Sequence, residues 1–164
     1  MQTIETARLT LRPWHESDAA ELYSLASDPD VGPAAGWPPH TSVDNSLEII
    51  RTVFSSPDTY AVVLRRCGRP VGCCGLVPEG ERPVGEIAPA GVEIGYWLGR
   101  DHWGQGIIPE AVNALVERVS ARPGVKSLWI AFYTANDKSR RVAEKCGFTY
   151  HHTSGGEHFY VKPV

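Results

Sequence analysis

Residues 92–119 constrain the fold more than any other stretch of the chain. Val92-Glu93-Ile94-Gly95-Tyr96-Trp97-Leu98 is an apolar, aromatic-rich run with strand character; the chain then passes Gly104 and Gly106 and takes up helical spacing at Ile108, Val112, Leu115, Val116 and Val119. Strand, glycine turn and helix in that order build an anion site. The first amide N–H groups of a helix have no intrahelical acceptor and carry the positive end of its dipole, so a phosphate placed there meets donors already aimed at it. Gly104 and Gly106 permit close backbone approach, and Pro109 suits the first helical turn, where its missing N–H costs nothing. The turn is neither Gly-x-Gly-x-x-Gly nor a P-loop, since no Gly-Lys-Ser/Thr follows. On the two glycines alone, a turn that needs glycine only for tightness is the better explanation.

A second segment, Ala135 to Phe148, carries Asn136-x-x-Ser139. With Ile94-Gly95-Tyr96-Trp97-Leu98-Gly99 and Trp103-Gly104-Gln105-Gly106 it resembles the GNAT superfamily of N-acetyltransferases, in particular the RimJ/RimL-type branch, over nearly the whole chain. The resemblance implies acetyl-CoA as cofactor, with its phosphates on Trp103, Gly104, Gln105, Gly106, Ile107 and Ile108. It also implies a pantetheine arm that pairs like an added strand with Tyr96, Trp97 and Leu98 and touches Asn136. The implied reaction is direct attack in a ternary complex by a primary amine, either a protein N-terminus or a small molecule. Transfer needs a neutral amine, a donor to the thioester carbonyl and a proton for the departing thiolate.

Glu93 occupies the strand position where several members of the superfamily carry a catalytic glutamate, which makes it the candidate base, acting through water; an ordinary sheet carboxylate is the alternative. Asn136 and Ser139 lie three apart and share a helix face. Asn136 is equally a helix cap, and both roles are compatible. In the RimJ/RimL-type pattern Ser139 gives a proton to the departing thiolate; the plain alternative is a first-turn serine satisfied by water.

Two positions depart from the pattern. Asp101 stands where many relatives begin the phosphate turn with Gln or Arg, and Arg100 is the nearby compensating charge; Ala143 stands where many carry a tyrosine as general acid. Lys138, Arg140 and Arg141 would attract a 3′-phosphate or form a solvated basic face. These departures keep a second reading open, a CoA-binding regulatory module with lost or residual transferase activity.

The remaining sequence sets the frame. A length of 164 residues suits one domain, here a single N-acetyltransferase domain over 1–164, and 42% hydrophobic with 21% charged residues is the balance of a soluble globular protein. A net charge of −3 gives no basic footprint for nucleic acid. The expectation is a cytoplasmic protein with no membrane span, monomeric or homodimeric, its four cysteines (Cys67, Cys73, Cys74, Cys146) buried and reduced. No metal site is expected: the histidines are scattered, and His151 and His152 would point to opposite faces of a strand.

Alternating and helical patterns give strands at 9–14, 60–66, 71–77, 92–98, 127–133, 148–152 and 159–162, and helices at about 17–27, 42–54, 107–121 and 136–147. Asp18-x-x-Glu21 reads as a capping box. Residues 31–41 and 78–91 read as loops rich in glycine and proline, the second a candidate acceptor contact; Trp37 in the first either packs into the core or lines a substrate groove. The fold expected is α+β: a mixed, mostly antiparallel central sheet of about six to seven strands flanked by about four helices, with the two central strands at 92–98 and 127–133 parallel and splayed, as the resemblance implies.

Overall fold

The apolar stripe that follows Gly106 folds as the chain's longest helix and packs on the middle of the sheet. The computed structural model describes residues 2–83 and 85–164. Among them the order is β1 (Ile4–Glu5), β2 (Leu9–Pro13), α1 (Ala19–Ala26), α2 (Gly32–Ala35), α3 (Val43–Thr52), β3 (Thr59–Leu64), β4 (Arg69–Leu76), β5 (Gly91–Leu98), α4 (Ile107–Ser120), β6 (Ser127–Tyr133), α5 (Asp137–Lys145), β7 (Thr149–Ser154) and β8 (Glu157–Pro163). Short 3-10 turns lie at Glu16–Asp18 and Arg100–His102. Relative to the sequence pattern, β1 and α2 are additions. Two and four residues are too few for a period to show, and Gly36, at φ 92°, ends α2 after one turn.

All eight strands form one sheet in the order β1-β2-β3-β4-β5-β6-β8-β7. Every neighbouring pair is antiparallel except β5 and β6. That parallel pair is short: it runs from Gly91 opposite Ser127 to Glu93 opposite Trp129 and then stops, while β5 remains paired with β4 out to Leu98 and β6 with β8 out to Tyr133. The sheet therefore parts between Ile94–Leu98 and the second half of β6.

Two apolar clusters, one on each face, hold this parted sheet. On one face α4 inserts Ile107, Ile108, Ala111, Val112, Leu115 and Val119 against Leu11, Val62, Ile94 and Leu128, joined by Ala143 and Phe148. On the other, Leu22 and Ala26 of α1 and Ile50 of α3 pack on Ala61, Val63 and Trp97. Alternation along β5 thus turns Ile94, Tyr96 and Leu98 toward α4 and α5, and Glu93 and Trp97 toward the opposite face.

Three local expectations are corrected. Asp18 does not cap α1: its carboxylate turns back to accept a fork from Arg12 (2.7 and 2.9 Å) and the His15 amide (2.9 Å). His151 and His152 do not diverge, because the pairing of β7 with β8 shifts register between Tyr150 and His152 and brings their Nδ1 atoms to 2.8 Å. Cys67 is exposed, since it sits in the β3–β4 turn, whereas Cys73, Cys74 and Cys146 are buried free thiols.

Candidate active site

The site is assembled where β5 ends, α4 begins and the sheet parts. Gly104 and Gly106 adopt φ of 74° and 71°, the left-handed region where glycine carries no side-chain penalty. A Cβ on Gly104 would meet no protein atom within 4 Å, so backbone conformation rather than crowding calls for glycine there. The turn leaves the amide N–H groups of Gly104, Gln105, Gly106, Ile107 and Ile108 without an acceptor among the described residues. The carbonyls of the same turn are engaged: Gln105 O and Gly106 O both accept from Arg8.

All of these amides but that of Gln105 line a cleft of about 330 Å³. Its wall takes in Tyr96, Trp97 and Leu98 of β5, the turn from Trp103 to Ile108 except Gln105, and Asn136, Lys138, Ser139, Arg141 and Lys145 of the α5 region. Ten of the eleven residues expected to hold the cofactor are thus gathered on one surface. Gln105 is the exception, its side-chain amide folded back onto Asp101 O at 3.1 Å. Trp103 anchors the turn by donating Nε1–H to Leu98 O (2.8 Å), and Lys138 Nζ lies 3.5 Å from the centre of its ring. Of the basic residues named from sequence, Arg140 pairs with Asp137 instead, and Arg100 pairs with Asp30; Lys145 takes the third basic place in the cleft. Asp101 is exposed and outside the cleft wall.

A second cleft, about 350 Å³, meets the first at Tyr96, Ser139, Ala34 and Ala35. Glu81, Arg82, Glu93 and Glu157 give it its charge, and Ala131, Phe132 and Tyr133 of β6 form its far wall. Glu93 is 5% exposed. Its two oxygens accept from Arg82 Nε (2.8 Å) and Nη2 (2.7 Å), and Arg82 Nη1 also donates to Glu157. Two acceptor positions of the Glu93 carboxylate are used by this fork, which leaves capacity for a water or an ammonium. The paired carboxylates hold the Arg82 guanidinium even more firmly protonated than usual.

At the junction, Asn136 caps α5 by accepting from the Ser139 amide (3.1 Å) and donates to Ala34 O (3.3 Å), so one side chain joins α5 to α2. The Ser139 hydroxyl makes no hydrogen bond among the described residues, whereas its carbonyl accepts from Tyr96 Oη at 3.2 Å. Burial pushes the Tyr96 phenol well above its ordinary pKa, so it is neutral and a donor at any working pH. Trp37 lines neither cleft; it packs edge-on against Trp97 at 5.4 Å, and Ala34, Ala35 and Gly36 are the residues of its loop that reach the second cleft. Arg8 was not legible as a site residue, for it lies 97 residues from Gln105 and outside any motif; Arg82 lies in the 78–91 loop expected to contact the acceptor, but its pairing with Glu93 and Glu157 was not legible.

Four free amides and three cationic side chains line this gap between parallel strands, a set of donors that fits an extended phosphate-bearing ligand. Such a parted mixed sheet, with an anion-ready turn at its mouth, defines a class of domain that takes an extended phosphate-bearing ligand between its strands. The chain belongs to the acetyltransferase (GNAT) domain family, which matches residues 8–149. It is 31% identical over 125 residues to the uncharacterized N-acetyltransferase p20 of Bacillus licheniformis, a stretch covering 71% of this chain and 65% of that protein, so the chain spans just under two thirds of its relative's length. A shorter stretch of 56 residues, 34% of this chain and 31% of the relative, is 39% identical to the ribosomal-protein-serine acetyltransferase of Escherichia coli. Among solved structures, the ribosomal alpha-N-protein acetyltransferase RimL in complex with coenzyme A superposes with a TM-score of 0.76 at 19% identity over 99% of this chain and 98% of that one. The RimJ/RimL-type resemblance drawn from the motifs agrees with these relatives.

Proposed function

We propose that the protein transfers an acetyl group from acetyl-CoA to a primary amine, a protein N-terminus or a small-molecule amine, with both reactants bound at once. The observation that carries this is the meeting of two clefts at Tyr96 and Ser139, one walled by free turn amides and cations, the other by carboxylates. Acetyl-CoA, when bound, supplies a thioester-activated acetyl group. The turn amides of Gly104 to Ile108 with Lys138, Arg141 and Lys145 would hold its phosphates, and the unpaired edge of β5 at Tyr96–Leu98 would bind the amide arm as an added strand would.

The second cleft carries three glutamates against one arginine, a field that draws in an ammonium and disfavours anions. Glu93, through a water on its remaining acceptor positions, takes the ammonium proton so that a neutral amine attacks. Ser139 holds an uncommitted hydroxyl proton at the junction, available to a departing thiolate. The names of two similar proteins, a ribosomal-protein-serine acetyltransferase and a ribosomal alpha-N-protein acetyltransferase, support a peptide N-terminus as one acceptor to test first.

Free-thiol release from acetyl-CoA, followed with a panel of N-terminal peptides and small amines, tests the reading. Turnover with at least one amine is expected, and Glu93→Gln should lower kcat by about 10²-fold, the usual share of a general base, with coenzyme A affinity unchanged. One observation favours the second reading, a CoA-binding module without turnover: Glu93 is committed to Arg82. Coenzyme A binding with no thiol release across the panel would establish that reading instead.

A further inference from the structure

Arg8 lies just before β2 and lines neither cleft, yet its side chain donates to two carbonyls of the phosphate turn. Its Nη1 donates to Gln105 O at 2.9 Å and its Nη2 to Gly106 O at 3.1 Å. Its Nε donates to Glu110 Oε2 at 2.6 Å, and its own amide to Glu110 Oε1 at 2.9 Å. Glu110, in the first turn of α4, is fixed in turn by Thr6 Oγ1 at 2.6 Å. The guanidinium therefore spans the back of the turn and is braced against the helix the turn begins.

The consequence follows from the geometry of the peptide. In a planar trans peptide the C=O and the N–H of the next residue point in opposite directions. A donor that captures Gln105 O behind the turn thereby aims the Gly106 N–H forward, and one that captures Gly106 O aims the Ile107 N–H forward. Both amides lack any other partner, and with positive φ at Gly104 and Gly106 the turn has unusual freedom to rotate these peptides.

We propose that Arg8 is a positioning residue for phosphate binding, one that orients the Gly106 and Ile107 amides from behind the turn and never touches the ligand. This rests on the acetyl-CoA reading above and adds a residue to it. A merely structural arginine would affect every ligand of the cleft equally; a positioning one affects only the ligand that carries phosphate.

Arg8→Gln and Arg8→Lys are compared with the unaltered protein by calorimetry with coenzyme A and by ligand-observed NMR with pantetheine, the same thiol arm without phosphates. The expected result is a Kd for coenzyme A raised about tenfold in Arg8→Gln and less in Arg8→Lys, with pantetheine binding changed by less than twofold. Glu110→Gln, which keeps the two turn contacts and weakens only the brace, should raise the coenzyme A Kd less than Arg8→Gln does. An unchanged coenzyme A Kd in Arg8→Gln, or equal losses for both ligands, overturns the proposal. An unaltered protein that binds no coenzyme A overturns the parent reading and this one with it, which separates the two failures.

Discussion

Glu93 shows how much of a side chain's chemistry is decided by a neighbour outside its own strand. Its position on β5 puts it on the floor of the second cleft, but the fork from Arg82, which also holds Glu157, determines which of its acceptor positions stay free. Arg82→Ala leaves the buried Glu93 carboxylate unpaired. Because Arg82 is a quarter exposed and water can follow it out, the expected loss is about 2 kcal/mol of stability, less than for a fully buried pair, read from urea unfolding. The thiols offer a second check at this scale. Burial pushes Cys73 up to about 12 and Cys146 up to about 11, and Cys74 well above its ordinary value, while Cys67 is exposed. A thiol reagent at pH 8 should titrate one cysteine in the native protein and all four in denaturant.

Among the elements, α4 and α5 do different work for the site. Helix α4 is held by its apolar stripe, which was legible because seven buried positions recur at helical spacing over 14 residues. Helix α5 has one buried residue, Ala143, within it and depends more on its cap. Asn136→Ala removes both the acceptor for the Ser139 amide and the tie to Ala34 O. A cap loss of about 1 kcal/mol is expected in urea unfolding, together with a fall in kcat as Ser139 loses its fixed place. The strand pattern also gave β5 and β6 as central and apolar, and the motif resemblance made them parallel and splayed. That they part after Glu93 and Trp129 could not be read from either strand, because each keeps its outer partner to the end and only the shared edge is lost. One-turn α2 and two-residue β1 were missed for a simpler reason, since a period needs more than one repeat to be visible.

For the whole molecule, long-range ion pairs tie segments that the sheet alone leaves apart. Arg122, just after α4, forks onto Asp58 before β3 (2.6 and 2.8 Å), and this hydrogen bonding holds the Asp58 carboxyl below its ordinary pKa. Burial pushes Asp18 upward, but the Arg12 fork and the His15 amide outweigh it, and its pKa too is lowered. With folded values below the unfolded aspartate value of about 4, the unfolded chain takes up protons first as pH falls. The stabilisation is therefore complete above about pH 4 and is lost as pH falls through the folded pKa values. Urea midpoints should be flat from neutral pH to about 4.5 and drop steeply below 4, and Arg122→Ala should flatten that drop.

What the sequence determined by itself is local: the strand, glycine turn and helix of residues 92–119, the Asn136 cap with Ser139 three residues on, and a two-faced apolar pattern that calls for one sheet covered on both sides. These depend on backbone freedom and periodicity, which a few consecutive residues fully express. Tertiary structure alone decided that Arg8 turns two amides forward, that Arg82 occupies Glu93, that Lys145 rather than Arg140 faces the phosphate turn, and that two clefts meet at Tyr96. Each of these depends on contact between segments 11 to about 100 residues apart, and such contacts exist only once the sheet has set its order and parted.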